Sequence, residues 1–234
     1  MLKKITFTGI DKNTDIEQLY KLARDYPKVE FGFLSFLDYK NTKKNQCNDP
    51  AILKKYRNKG LSLSLHVCGS LNDHLMKTGD WSEIKQFMGV YFPLFDRVQL
   101  NISHRFKKRE DGKWKITVPE GISEVIIQQR RTDAMPIYQW YLDEQDEVDG
   151  KITILLDDSS GWGRFTGTPK TLALPYVGYA GGLNPGNVLE MVSSLEADPN
   201  VQNYWIDMQS GVRTEDDWFS VELCQKVCEQ LKDV

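Results

Sequence analysis

No apolar run in this 234-residue chain approaches the ~18 residues needed to cross a bilayer. Strong charge of either sign is absent too. The formal net charge is −3, so charge implies no nucleic-acid partner and no membrane surface. The one local exception is RFKKR at 105–109, which reads as a solvated loop or, alternatively, as a phosphate- or nucleic-acid-binding one. The start, MLKKITFTGID, meets an acidic residue too soon for a signal peptide. Cysteine is sparse: Cys47, Cys68, Cys224 and Cys228, with no CxxC pair. Cys224 and Cys228 are one helical turn apart and read as buried packing residues, so no metal is expected. A reduced, cytoplasmic setting fits this usage. A dinucleotide fingerprint is also missing, because Gly9 lacks the further glycines at the required spacing. Neither a linker nor an internal repeat breaks the chain.

What is present is alternation. Short β-rich runs are followed by helical patterns again and again. The strands are expected at 3–9, 29–36, 61–67, 96–102, 124–129, 151–157, 176–180 and 201–208. Helical patterns follow near 16–26, with Thr14 and Glu17 as a capping box, then at 51–58, 70–88 and 133–145. After the seventh strand Asn184 is placed to cap a helix with Pro185 at its first position, and a last helix begins near 215. After the sixth strand, 158–168 is loop. Eight such units predict an α/β fold, a single-domain (β/α)8 barrel over 1–234, with an irregular excursion near 103–123. A doubly wound open sheet is the alternative.

In a barrel the site forms at the C-terminal ends of the strands. The polar residues expected there are Thr6, Thr8, Glu30, Ser35, His66, Cys68, Gln99, Asn101, Gln128, Arg130, Asp157, Asp158, Asp207, Gln209 and Ser210. Almost every strand contributes, which points to a polar ligand. His66 and Cys68 lie two apart on one strand and share a side. Either could move a proton; the alternatives are a structural His hydrogen-bonded beneath the site with a small buried Cys, or a metal site of His66, Cys68 and Asp157, for which no spacing signature speaks. Asp157 and Asp158 face opposite ways, so one of them enters the site; Asp157 could equally cap the next loop.

The stretch GYAGGLNPGNV, 178–188, packs four glycines into eleven residues. Gly181 and Gly182 follow the seventh strand, and Ser210 and Gly211 follow the eighth. Two adjacent loops free of side chains can aim backbone N–H groups at a phosphate, with the following helix N-termini adding positive partial charge. Tight turning alone is the other explanation.

The motifs FTGI (7–10), VQLN (98–101), LLDD (155–158), AGGLNPGNV (180–188) and IDMQSGV (206–212) occur in order over nearly the whole chain. In them the sequence resembles phosphoribosylanthranilate isomerase. That resemblance implies a barrel that isomerises a phosphoribosylamine to a 1-deoxyketose phosphate, with no cofactor, and a phosphorylated small molecule as its partner. It makes Asp157 the general acid. The family's general base is a Cys where this chain has Thr8. The family's Arg after the second strand falls in SFLDYKNTKKN, which holds lysines, and the loop SSGWGRFTG keeps its glycines in altered order. The resemblance therefore implies a retained phosphate end and a changed reaction end. The alternative outcome is a binding barrel that has lost its base.

A Thr hydroxyl is no practical base near neutral pH. Purified wild-type protein should therefore turn over phosphoribosylanthranilate ~10²–10⁴-fold more slowly than an enzyme with a working base. A fluorescence assay of substrate loss, or rescue of a tryptophan auxotroph at ordinary expression, checks this; robust turnover contradicts it.

Overall fold

The computed structural model describes residues 1–37, 49–56, 60–101, 116–130, 151–159, 165, 167 and 170–234, apart from the side chains of Lys77 and Arg130. Eight parallel strands close on themselves in chain order. They are β1 (Leu2–Thr8), β2 (Val29–Ser35), β3 (Leu63–Val67), β4 (Arg97–Leu100), β5 (Glu124–Arg130), β6 (Ile152–Asp157), β7 (Tyr176–Ala180) and β8 (Asn203–Met208). The last strand returns to the first, with Thr6 beside Asp207. The α-helices are α1 (Ile16–Asp25), α2 (Ser70–Thr78), α3 (Ser82–Met88), α4 (Val188–Ala197) and α5 (Val221–Gln230). The molecule is a one-domain (β/α)8 barrel.

The period of two along each strand sorts side chains to two faces. One face looks outward to the helices. There Phe7, Phe31, Phe33, Leu65, Val98, Ile127, Ile154 and Ile206 join Leu19, Met191 and Cys228 in one large apolar cluster. The other face fills the barrel, and it is tiered. Along β5 the inward residues run Glu124, Ile126, Gln128; along β6, Thr153, Leu155, Asp157; along β8, Asn203, Trp205, Asp207. Polar, apolar and polar tiers follow one another toward the C-terminal mouth.

The lower tier is ionic. Arg97 is 2% exposed and donates to Glu30 through Nη2 at 2.6 Å and Nε at 2.9 Å. It reaches Glu124 at 3.3 Å. Thr6 donates to Glu30 at 3.0 Å, and Thr153 donates to Glu124. Burial alone would push Glu30 up, but Arg97 beside it outweighs that and holds the carboxyl below its ordinary value. Burial likewise disfavours the Arg97 charge, and the two carboxylates overcome it. Above this cluster, Trp205, Leu155 and Ile126 form an apolar layer. Trp205 lies against Tyr176 with centroids 4.7 Å apart, and the Arg97 guanidinium sits 5.0 Å from its ring. Gly178 makes room for that ring; a Cβ there would overlap it.

Local details depart from expectation where short-range chemistry competes. The cap of α1 is Asp15, whose Oδ1 accepts from Glu17 N at 2.9 Å. Thr14 is engaged elsewhere, donating to Asp11 at 3.2 Å. The 70–88 pattern divides into two helices because Gly79 takes a left-handed conformation, φ 75°. A 3-10 helix, Pro50–Tyr56, stands where a helix at 51–58 was expected. The last helix starts at Val221 rather than near 215. Residues 213–219 instead make a tight turn in which Arg213 bridges Phe219, and Ser220 caps the helix. Cys47, the run at 105–109, most of the excursion at 103–123, the helix near 133–145 and most of the loop at 158–168 lie outside the described residues.

Replacing Arg97 with Met should leave two buried carboxylates without their shared cation. The expected loss of stability is about 3–5 kcal/mol in urea titration. A loss below about 1 kcal/mol would mean that the cluster relaxes or hydrates.

Candidate functional site

The third tier opens into a cavity of about 710 Å³ at the C-terminal ends of the strands. Cys68, Gln99, Asn101, Gln128, Asp157 and Asp207 line it from the barrel side, and Gly181, Gly182 and Ser210 from the loops after β7 and β8. These are the sequence-predicted residues, drawn from six strands. Thr8, His66 and Gly211 stand just outside that lining. Glu30 and Thr6 belong to the lower tier and bind Arg97, so they are rim residues in neither position nor contact.

Two carboxylates face the cavity at one level. Asp157 and Asp207 both pair with Ala180, one from each side, so only a methyl group's strand separates them. Their surroundings differ. Asp157 Oδ1 accepts from the Ser159 amide at 3.0 Å and from its hydroxyl at 2.6 Å. Its Oδ2 accepts from Gln128 Nε2 at 2.7 Å. Asp207 meets the Thr8 hydroxyl at 2.7 Å. Burial pushes Asp207 up to about 7; Thr8 and the nearby Gln99 amide oppose this, and the charges of Asp157 and Glu30 reinforce it.

Thr8 owes its place to Gly32. A Cβ on Gly32 would lie 2.5 Å from Thr8 Oγ1 and 3.0 Å from His66 Nε2. His66 lies beneath the cavity floor with Ser64 Oγ 3.0 Å from Nε2. Burial holds its pKa down at about 3; the nearby Glu30 raises it and Arg97 lowers it further. The imidazole is therefore neutral across the physiological range. Cys68 does reach the cavity. Its Sγ accepts from Asn101 Nδ2 at 3.1 Å, and Gln99 Nε2 donates to Asn101 at 2.8 Å. His66 and Cys68 thus share a side of β3 but occupy different tiers.

The two glycine loops pack on each other. Gly181 has φ 135° and Gly182 φ 66°, backbone that a side chain would strain. Gly211 lies so close to the Leu183 carbonyl that a Cβ there would overlap it. The β7 loop is pinned from behind. Asn187 Nδ2 donates to the Gly182 carbonyl at 3.0 Å, and Asn184 Oδ1 accepts from Gly186 N at 2.7 Å. Asn184 therefore caps a turn, and regular helix begins only at Val188. Behind the β8 loop stands a single 3-10 turn, Ser210–Val212.

Sequence reasoning missed Arg213. Its side chain is buried, and it donates to the Gly9 carbonyl at 2.7 Å, to Asp11 at 3.2 Å and to Asp217 at 2.6 Å. Asp11 also accepts from the Phe219 amide at 2.7 Å. The pair staples the loop after β8 to the loop after β1. The available signal was an acidic residue two positions beyond Gly9 and an Arg two beyond Gly211. Among the described residues, no group of three or more His, Cys, Asp or Glu side chains could hold a metal ion. No helix among them is long and apolar enough to cross a membrane.

Solved structures share this whole architecture. Phosphoribosylanthranilate isomerase from Thermotoga maritima matches over 100% of both chains with a TM-score of 0.58. The fold is that of phosphoribosylanthranilate isomerase. TrpF from Jonesia denitrificans matches 98% of this chain and 96% of its own, also at 0.58. The Thermus thermophilus enzyme matches 98% of each at 0.56. Sequence identity is 16%, 15% and 15% respectively, so the likeness is one of fold. A further match at 16% identity and TM-score 0.56 is phosphoribosylanthranilate isomerase in complex with reduced 1-(o-carboxyphenylamino)-1-deoxyribulose 5-phosphate. No family model matches the chain, and no curated protein does.

The raised Asp207 carries a stability signature. Unfolded, it ionises near pH 4; folded, it keeps its proton to about 7. Its contribution to stability is therefore full below about pH 4 and declines as pH rises to about 7. Asp207→Asn removes this decline. The variant should gain on wild type by roughly 2–4 kcal/mol between pH 4 and pH 8 in urea titrations. A pH-independent difference would show that Asp207 ionises normally.

Proposed function

We propose that this chain is an isomerase, or a related proton-transfer enzyme, acting on a phosphorylated sugar-type metabolite. The observation that carries the reading is the pair of carboxylates, Asp157 and Asp207, facing one cavity closed by two glycine loops. Backbone amides of Gly181, Gly182, Ser210 and Gly211 would hold the phosphate. Asp157 acts as acid or base on the sugar carbons, and no cofactor is needed for a reaction that only relocates hydrogen. The sugar-phosphate analogue bound to a solved barrel of this fold supports a ligand of that class.

A second reading is a non-catalytic barrel that keeps the phosphate pocket. Thr8 favours it, because its hydroxyl is bonded to Asp207 and is no base. The two readings separate on turnover, not on binding.

Ribose 5-phosphate should bind the wild type, and Gly182→Val should weaken it by roughly tenfold or more in calorimetry. Unchanged affinity in a folded variant places the phosphate elsewhere. Asp157→Asn should retain that binding and lower turnover ~10²–10⁴-fold. Binding without any turnover in the wild type would select the second reading.

A further inference from the structure

Two of the carboxylates that line the cavity, those of Asp157 and Asp207, are set for different halves of a proton transfer. Donors face Asp157: the Ser159 amide and hydroxyl at one oxygen, Gln128 Nε2 at the other. All three partners donate, so the carboxylate meets each of them as an acceptor. Asp207 has a hydroxyl partner in Thr8, which can accept a hydrogen bond from a protonated carboxyl as well as donate one to an ionised carboxylate. Gly32 keeps Thr8 in that position by leaving it space. The two acids sit at one level, on the strands flanking Ala180, so one ligand between them meets both.

We propose that Asp207 carries the proton given to the ligand, that Thr8 positions it, and that Asp157 takes the proton from carbon. The proposal rests on the reading of the cavity as a sugar-phosphate isomerase site. It moves the acid role away from Asp157, where the family resemblance puts it. In the first half, Asp157 takes the proton from carbon two of an aldose-form sugar phosphate. The C–H electron pair becomes a double bond between carbons one and two. The former carbonyl pair closes onto its oxygen, which takes the proton of Asp207. In the second half, Asp157 returns its proton to carbon one. The hydroxyl on carbon two gives its proton back to Asp207 and becomes the ketone. Both carboxyl groups end as they began, and nothing is oxidised or reduced overall.

The surroundings of Asp207 support the assignment. Burial first, then Asp157 on β6 and, deeper, Glu30 on β2 favour its protonated form and outweigh the hydrogen bonds from Thr8 and Gln99, which favour the ionised one. Among the described residues, the buried cations are engaged elsewhere. Arg97 on β4 is spent on Glu30 and Glu124, and Arg213 on Asp11, Asp217 and the Gly9 carbonyl. His66 on β3 is neutral.

The test has two arms. Carbon-13 NMR of carboxyl-labelled aspartate needs no ligand. One signal should titrate at about 7 in the wild type, vanish in Asp207→Asn and move in Thr8→Val. A wild type without such a signal overturns the proposal. The second arm follows conversion of ribose 5-phosphate, an aldose phosphate, to its ketose isomer at high enzyme concentration. Slow wild-type turnover should fall as pH rises through about 7, as an acid is lost. Asp207→Asn should lose the pH limb and ~10²-fold or more of kcat. Thr8→Val should keep a limb, displaced from that of the wild type, with a smaller loss of kcat. A rate that rises with pH, or an Asp207→Asn variant as fast as wild type, overturns the proposal. If the wild type is inert, the substrate reading fails and the titration alone decides for or against Asp207 as the proton carrier.

Discussion

One buried charge, that of Arg97, sets the terms for the barrel interior. Its guanidinium must find acceptors without water, and it finds them on β2 and β5 through Glu30 and Glu124. That arrangement fixes register, because a slip of one residue would turn the charges toward the apolar helical shell. It also needs a dry roof, which Trp205, Leu155 and Ile126 supply. Trp205 in turn needs a strand without a side chain beside it, which is why β7 carries Gly178. The floor of the mouth is therefore a consequence of the ion cluster at the base. A cluster of this kind adds little net stability, yet loses several kcal/mol when broken, by roughly 3–5. It contributes uniqueness of pairing.

Much of this was legible in the sequence. The eight strands emerge within two residues at every end, because β-rich runs with polar punctuation leave few choices. The mouth residues also emerge, since a polar side chain near the end of an otherwise apolar strand has one sensible place to go. What was hidden has physical causes. Glu30 looks like a rim residue until Arg97 is known to lie beside it, and that contact joins residues 67 positions apart. Thr14 looks like a cap, yet Asp11 outcompetes the helix for its hydroxyl. The turn at 213–219 reads as helix because its strain rests on Asp217, φ 60°, a residue type that tolerates the left-handed region. Arg213 and Asp11 are unremarkable until the barrel closes and brings them together.

The mouth shows how one fold can hold two arrangements of acid groups. Strand position decides where Asp157 and Asp207 stand. Neighbours one or two residues away decide what each can do: Ser159 and Gln128 around the first, Thr8 and Gln99 around the second. A thiol in place of the hydroxyl at position 8 would change the partner of Asp207 without changing the scaffold. In the proposed assignment, a single side chain at position 8 sets how the two acids divide the proton work.

The Thr8–Asp207 hydrogen bond joins residues 199 apart, and the Arg213–Asp11 pair joins residues 202 apart. During synthesis, residue 8 leaves the ribosome long before residue 207 exists. Until β8 docks, the first loop lacks its staple, Thr8 lacks its acid, and the lower ion cluster stands open on one side. Contacts of such separation form late, because the entropy of closing the ring precedes any return from it. A nascent chain of seven strands therefore carries most of the mass of the protein, and Asp157 with it, but only half of the carboxylate pair that faces the cavity.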